Sequence, residues 1–348
     1  MYKFCSKCGH KTTLDARFCS KCGLKLEDIV FSYEDPVDYT EESDAGSQST
    51  AELHTESFPA DGIDKISSSC RLYNVEVTTS DTKEILISWE KTESWRLDPQ
   101  INGNTLNLKE HNRLGMHNIH DFFHNSGHNV IKIELPKSKK FDLNLENETG
   151  QITLTDIEVL NQAELRSTIG RIKVNNLKAP EALLVSTGTG SIRTSGLNVG
   201  QNVRLTSQIG KIIAEDVKTT TFVANNTSGR CSLSDITASQ QVTVTGGVGE
   251  LLLDRITSDK MDIKMNASGN INCQNLYSNS SISIYNSVGN ITCGIRDDAV
   301  NYTTHCHSDQ GQNNYPEISG SGNKHLNVRT SLGSVDIFFT GSKEKKES

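Results

Sequence analysis

Four cysteines near the N-terminus carry the clearest chemistry in the chain. Cys5-Ser-Lys-Cys8-Gly and Cys19-Ser-Lys-Cys22-Gly are two CxxCG knuckles with ten residues between them. Each knuckle sets two sulfurs on one tight turn, and its glycine lets backbone amides face the thiolates. Four thiolates form the tetrahedral shell that Zn²⁺ accepts, and with every position filled the metal is expected to be structural. Iron and a pair of disulfides are the competing readings of the same residues. A segment this short has no core, so metal binding supplies its folding energy, roughly 10–16 kcal/mol in comparable peptides. Phe4 and Phe18 directly precede the knuckles and are expected to pack beneath the metal.

The other reactive side chains have plainer readings. His111, His117, His120, His124 and His128 crowd one stretch. On a helix, His117, His120 and His124 would share a face and could hold a metal. A polar loop between strands, with Phe122 and Phe123 tucked down, is the simpler expectation. In His305-Cys306-His307, adjacent residues of a strand point to opposite faces. Asp156, Asp216 and Asp235 each stand six residues after a glycine. That makes them turn residues in register, bonding local backbone, and not the convergent acid pair that glycoside cleavage needs. Gly188-x-Gly190 lacks the strand–helix setting of a nucleotide loop. Cys231, Cys273 and Cys293 sit at apolar positions and are expected to be buried, the last two as neighbours in one file. Cys70 and Cys306 have no evident base beside them.

A regular beat positions all of these side chains. Gly150, Gly170, Gly190, Gly210, Gly229, Gly249, Gly269 and Gly289 are spaced by 20, 20, 20, 19, 20, 20 and 20 residues, and Gly333 follows after 44. A fixed period in this range marks stacked repeats. Apolar residues recur two, four and seven places after each glycine, as in Ile172, Val174 and Leu177. The alternation is that of short strands joined by turns. Three places before each glycine stand Asn147, Ser167, Thr187, Ser207, Asn226, Gly246, Asn266 and Asn286, a predicted corner ladder. Met261, Ile263 and Met265 are shifted by one, which predicts a bulge. The fold class expected is all-β: a single-stranded β-solenoid, or β-helix, of about eight 20-residue coils. Residues 61–140 and 300–340 would form β caps over its open sheet edges, and the 44-residue gap implies an insertion.

Residues 3–25 resemble the short bacterial zinc-ribbon domain. The stretch from about 60 to 340 resembles the bacterial "putative adhesin" β-strand-repeat family. The second resemblance rests on Ile63-x-x-Ile66 with Val75-x-Val77, on Ser186-Thr187-Gly188-Thr189-Gly190-Ser191-Ile192, and on Leu326-x-Val328 with Ser331-Leu332-Gly333-Ser334-Val335. It implies a link to the cell envelope and its stress responses, without naming a ligand.

Charge is unevenly spread. Residues 1–25 hold six Lys/Arg against one Asp, and residues 26–60 hold ten Asp/Glu with no Lys or Arg, in a chain of net charge −8. The domains expected are a zinc ribbon (1–25), an acidic disordered linker (26–60), the solenoid (61–340) and a charged tail (341–348). The linker reads as a solubilising spacer or as a segment folding back on the basic head. No apolar run reaches the ~20 residues of a membrane helix, and the N-terminus lacks a signal core. A soluble cytoplasmic protein is the default, with non-classical export open. One or three residues after the glycines stand Arg171, Lys173, Arg193, Lys211 and Arg230. Stacking would join them into a one-sided basic stripe suited to an anionic polymer, or they are ordinary solvated charge. The function expected is a non-enzymatic scaffold whose zinc head contacts a protein partner. The alternative is a carbohydrate-active β-helix enzyme, a polysaccharide lyase or hydrolase.

Overall fold

The computed structural model describes residues 2–4, 11–13, 52–91, 95–112 and 130–341. They separate into two units, Met1–Thr50 and Ala51–Ser348. In the first, Tyr2–Phe4 and Lys11–Thr13 pair antiparallel with Phe4 opposite Lys11, bracketing the sequence that carries Cys5 and Cys8. Cys5, Cys8, Cys19 and Cys22 themselves lie outside the described residues, as do His117, His120, His124 and His128.

The second unit is all-β and solenoid-like. Among its described residues the one helical element is a single turn, Ala299–Asn301. Strands one sequence period apart lie side by side, parallel and in register: Ile152 pairs Ile172, Ile172 pairs Ile192, and Ile192 pairs Ile212. Leu145, Leu165, Val185 and Leu205 form a second such file. The ladder curls into one continuous sheet, and its inward files are buried almost completely. Stacking is what buries them, because a lone coil has no opposite wall.

The glycine column explains the beat. Each glycine has φ between +131° and +156°, a region that L side chains avoid. A Cβ at Gly170, Gly190 or Gly210 would fall well inside 3.0 Å of the carbonyl oxygen of the glycine one coil earlier. Polar side chains three places before several of the glycines satisfy those carbonyls, whereas the Ser207 hydroxyl is buried without a partner. Thr187 donates to Gly170 at 3.2 Å, Asn226 to Gly210 at 3.2 Å and Asn286 to Gly269 at 2.8 Å. The corner ladder expected from the sequence is therefore a hydrogen-bond ladder. Met265 takes the buried corner place in its own coil, where the flanking Asn266, Ala267 and Ser268 are exposed. Its sulfur fills the space beside Gly246, so the shifted coil is accommodated by a missing side chain next door. Asp156, Asp216 and Asp235 occupy a second corner with φ of 56°, 50° and 54°, as turn residues in register should.

Both ends depart from simple sequence order. Lys65–Cys70 lies between Asp142–Thr149 and Thr105–Asn112, and Asn74–Ser80 runs between Ile152–Glu158 and Val130–Pro136. Antiparallel strands Trp95–Asn102 and Glu84–Lys91 then cover that end. At the other end Lys324–Leu332 pairs Ser281–Val288 on one side and Tyr302–Gln310 on the other. The insertion before Gly333 thus forms the outermost coil, within the 300–340 segment. The acidic linker is also shorter than 26–60. Glu52–Pro59 is a strand antiparallel to Glu84–Lys91, held because Phe58 packs on the core and His54 meets the Trp89 ring at 4.6 Å.

Candidate functional site

Parallel register brings the predicted basic residues onto one outer face. Lys173 pairs Thr153 and Arg193, Arg193 pairs Ile213, and Lys211 pairs Ser191. Arg171 and Arg230 begin the same strand segment in their own coils, directly after Gly170 and Gly229. All five alternate with buried residues, since Ile172, Val174, Ile192, Ile212 and Cys231 between them point inward. The row ends where Glu250 takes the next place: Arg230 Nε lies 3.1 Å from its Oε2. Asn272 donates to the other carboxylate oxygen at 3.3 Å. Five cations over four adjacent coils, at about 4.8 Å per coil, make a compact band of one sign.

Other charges on the stack are paired. Arg255 grips Asp235, one coil away, through Nε at 2.6 Å and Nη2 at 2.7 Å. This hydrogen bond holds the Asp235 carboxyl below its ordinary value. Lys324 lies 2.7 Å from Asp297 and 4.4 Å from the centre of the Tyr277 ring. Burial opposes ionisation of Asp297, but Lys324, the Asp298 amide and Asn301 outweigh it and lower the pKa.

A cleft of about 370 Å³ opens at the far end of the neighbouring sheet. Register aligns Tyr285 with Arg329 and Arg329 with His307, while Glu317 enters from the loop that follows Tyr302–Gln310. His307 is held from both sides, Nε2 at 2.9 Å from Asp309 and Nδ1 at 2.9 Å from Glu317. Arg329 also contacts both Asp309 oxygens, at 3.0 and 3.1 Å, and lowers that carboxyl's pKa. His305 and His307 face outward and Cys306 inward, as strand alternation requires. The cleft was invisible in the sequence apart from the 44-residue gap, because its floor joins coils out of chain order. No group of three His, Cys, Asp or Glu residues among those described is arranged to hold a metal. His111 lies 3.5 Å from Asp98.

Every described cysteine is a buried free thiol. Cys273 and Cys293 are register partners. Their mutual hydrogen bond, then burial, keeps Cys293 protonated far above the ordinary range. No helix among the described residues is long and apolar enough to cross a membrane.

Comparison with known proteins bears on the whole repeat. A family model described as Toastrack DUF4097 matches residues 63–338, and a zinc-ribbon domain model matches 4–26. A "putative cell adhesion protein" of Clostridium sporogenes is similar at 10% identity, over 83% of this chain and 100% of that one, with a TM-score of 0.23. A "putative adhesin" of Bacteroides fragilis is similar at 12% identity, over 82% and 97%, with a TM-score of 0.33. No curated protein matches the chain.

Proposed function

The chain belongs to the Toastrack DUF4097 family, and from that premise we propose that it is a non-enzymatic binding scaffold. The observation that carries this reading is the band of Arg171, Lys173, Arg193, Lys211 and Arg230 on one rigid face. Cations fixed at repeat spacing suit an anionic polymer, whose charges also recur along a line. In a cell-envelope setting the polymer would be a teichoic acid.

The N-terminal unit, in this reading, holds one structural Zn²⁺ through Cys5, Cys8, Cys19 and Cys22 and contacts a protein partner. The zinc-ribbon match over residues 4–26 supports it, and a filled tetrahedral shell leaves the metal no open position for chemistry. Metal analysis should find one zinc per chain, lost on Cys5→Ser with Cys8→Ser.

The alternative, an enzyme acting on carbohydrate, would need a carboxylic acid in a groove such as the cleft. Asp309, which bonds two of its lining side chains, is held ionised by Arg329, the opposite of what a general acid requires. Titrating purified wall teichoic acid at two salt concentrations tests the scaffold reading. Binding should weaken with salt and fall at least tenfold in Arg171→Ala/Arg193→Ala/Lys211→Ala. Unchanged binding in that variant would remove the cationic face as the site.

A further inference from the structure

Of the eleven large apolar side chains left exposed among the described residues, five stand in one column: Ile169, Ile209, Val248, Val288 and Leu332, each 42–58% exposed. Each directly precedes a glycine of the ladder. Thr149, Thr189, Ser228 and Ser268 take the same place in the intervening coils. Pairing confirms the file at both ends: Thr149 to Ile169, Ile169 to Thr189, Thr189 to Ile209, and Val288 to Leu332, then Gln310. One corner of the stack therefore carries a straight ridge in which large apolar and small hydroxyl side chains alternate from Thr149 to Val288, with an apolar knob every ~9.6 Å, two coils, before Leu332 follows Val288 directly. Isolated exposed apolar residues need no explanation, but a contiguous file of them does.

We propose that this ridge joins two copies of the chain side by side, antiparallel, about a two-fold axis between the coils of Gly229 and Gly249. Only a β-stack has a repeat of ~4.8 Å to match the ridge, and a second copy has it by construction. Setting the copies parallel at equal height would put Ile on Ile. Turning one over about that axis puts Val248 against the partner's Ser228, Ile209 against the partner's Ser268, and Val288 against the partner's Thr189. Ile169 then meets the partner's Leu332 at the two ends. Knobs fill holes along the length, and the contact closes on itself as an isologous pair.

The charged column beside the ridge favours the same register over either register one coil away. Arg230 faces the partner's Glu250, and Glu250 faces the partner's Arg230, doubling the 3.1 Å pair within each chain into an alternating square. Lys211 faces the partner's Asn270, and Arg171 the partner's Ser334. Shifting the axis by one coil toward Gly210 would instead set Lys211 against the partner's Arg230, two like charges in contact, and shifting it the other way would set Arg230 against the partner's Asn290 and lose the pair with Glu250. The ridge spans nine coil steps, about 43 Å, and a strip ~18 Å wide along it approaches the ~800 Å² per partner of standard interfaces. The dimer would also lay the cationic coils of one copy beside the neutral coils of the other, extending the basic band along the whole assembly. The inference stands on the ridge alone and does not require the polymer-binding reading.

Sedimentation velocity on the full, zinc-loaded chain tests it. The wild type should be a dimer at about 10 µM, and Ile209→Ser/Val248→Ser should raise the dissociation constant at least a hundredfold while leaving circular dichroism unchanged and making melting independent of protein concentration. Arg230→Glu should also give monomers, and Arg230→Glu/Glu250→Arg should restore the dimer. Oxidised glutathione should cross-link Ser228→Cys to its own counterpart beside the axis. Thr149→Cys, whose counterpart lies about 43 Å away, should not cross-link. A wild type that stays monomeric at about 100 µM overturns the proposal. So does a dimer that survives the ridge substitutions, or binding of wild-type monomers to phosphatidylglycerol vesicles through the same ridge.

Discussion

Gly210→Ala should be among the most damaging small changes possible in this protein. Gly210 has φ +143°, and a Cβ there would sit more than an ångström inside 3.0 Å of the Gly190 carbonyl oxygen. That oxygen is backbone of the adjacent coil and cannot swing aside. Relief requires separating two coils whose strands are paired from Ala182 to Lys218. Strain at a disallowed φ contributes about 1–3 kcal/mol, and forced overpacking about 1–3 more, for a total of about 4. Two other glycines calibrate the effect. Gly103 has φ +61° but open space around its missing Cβ, so Gly103→Ala should cost only about 1 kcal/mol, from conformation. Gly294 has no positive φ, and its nearest atom would be at 3.6 Å, so Gly294→Ala should be neutral or slightly stabilising. Urea unfolding followed by circular dichroism gives the three values. The order 210, 103, 294 is required. If Gly210→Ala falls within about 0.5 kcal/mol of Gly294→Ala, stacked carbonyls are not what maintains the beat.

Thr194 lies in an interior file between Val174 and Ala214, with its hydroxyl buried and without a hydrogen-bond partner. Thr194→Val keeps the shape and should raise stability by about 1 kcal/mol on the same urea curve; a loss would mean the hydroxyl is satisfied. Asp297 has a lowered pKa, so its contribution is complete above the unfolded value of 3.8 and disappears as pH falls through the lower folded value. Asp297→Asn should therefore melt earlier than wild type at pH 7, by about 1–3 kcal/mol, with the gap closing below pH ~4. A gap independent of pH would refute the pairing. Burial raises the thiols of Cys70, Cys231 and Cys306 to about 12. With zinc bound, the five solenoid thiols should resist Ellman's reagent until urea unfolds the stack, and fast native labelling of Cys231 would contradict its burial.

The middle of the stack was readable because its determinants are local and recur. Gly170, the donor Thr187 seventeen residues on, and the αL corner at Asp156 each announce themselves by residue type at a fixed offset. The ends were not, since a period says that neighbours exist without saying which segment is the neighbour. Lys65–Cys70 pairs strands that begin at 105 and 142, and Lys324–Leu332 pairs strands that precede it on both sides. Composition hid Glu52–Pro59 as well, because its two glutamates and the acidic residues before it outweigh the single contact of Phe58 with the core. These out-of-order ends have a physical purpose. A solenoid that simply stopped would leave a long parallel edge ready to pair with another chain. Here the chain doubles back at both ends. Tyr302–Gln310 is thereby joined at both of its termini to strands deeper in the stack, which limits fraying there. The edges that remain are short: Glu52–Pro59 and Trp95–Asn102 at one end, Val335–Phe339 and the two-residue strand Ile318–Ser319 at the other.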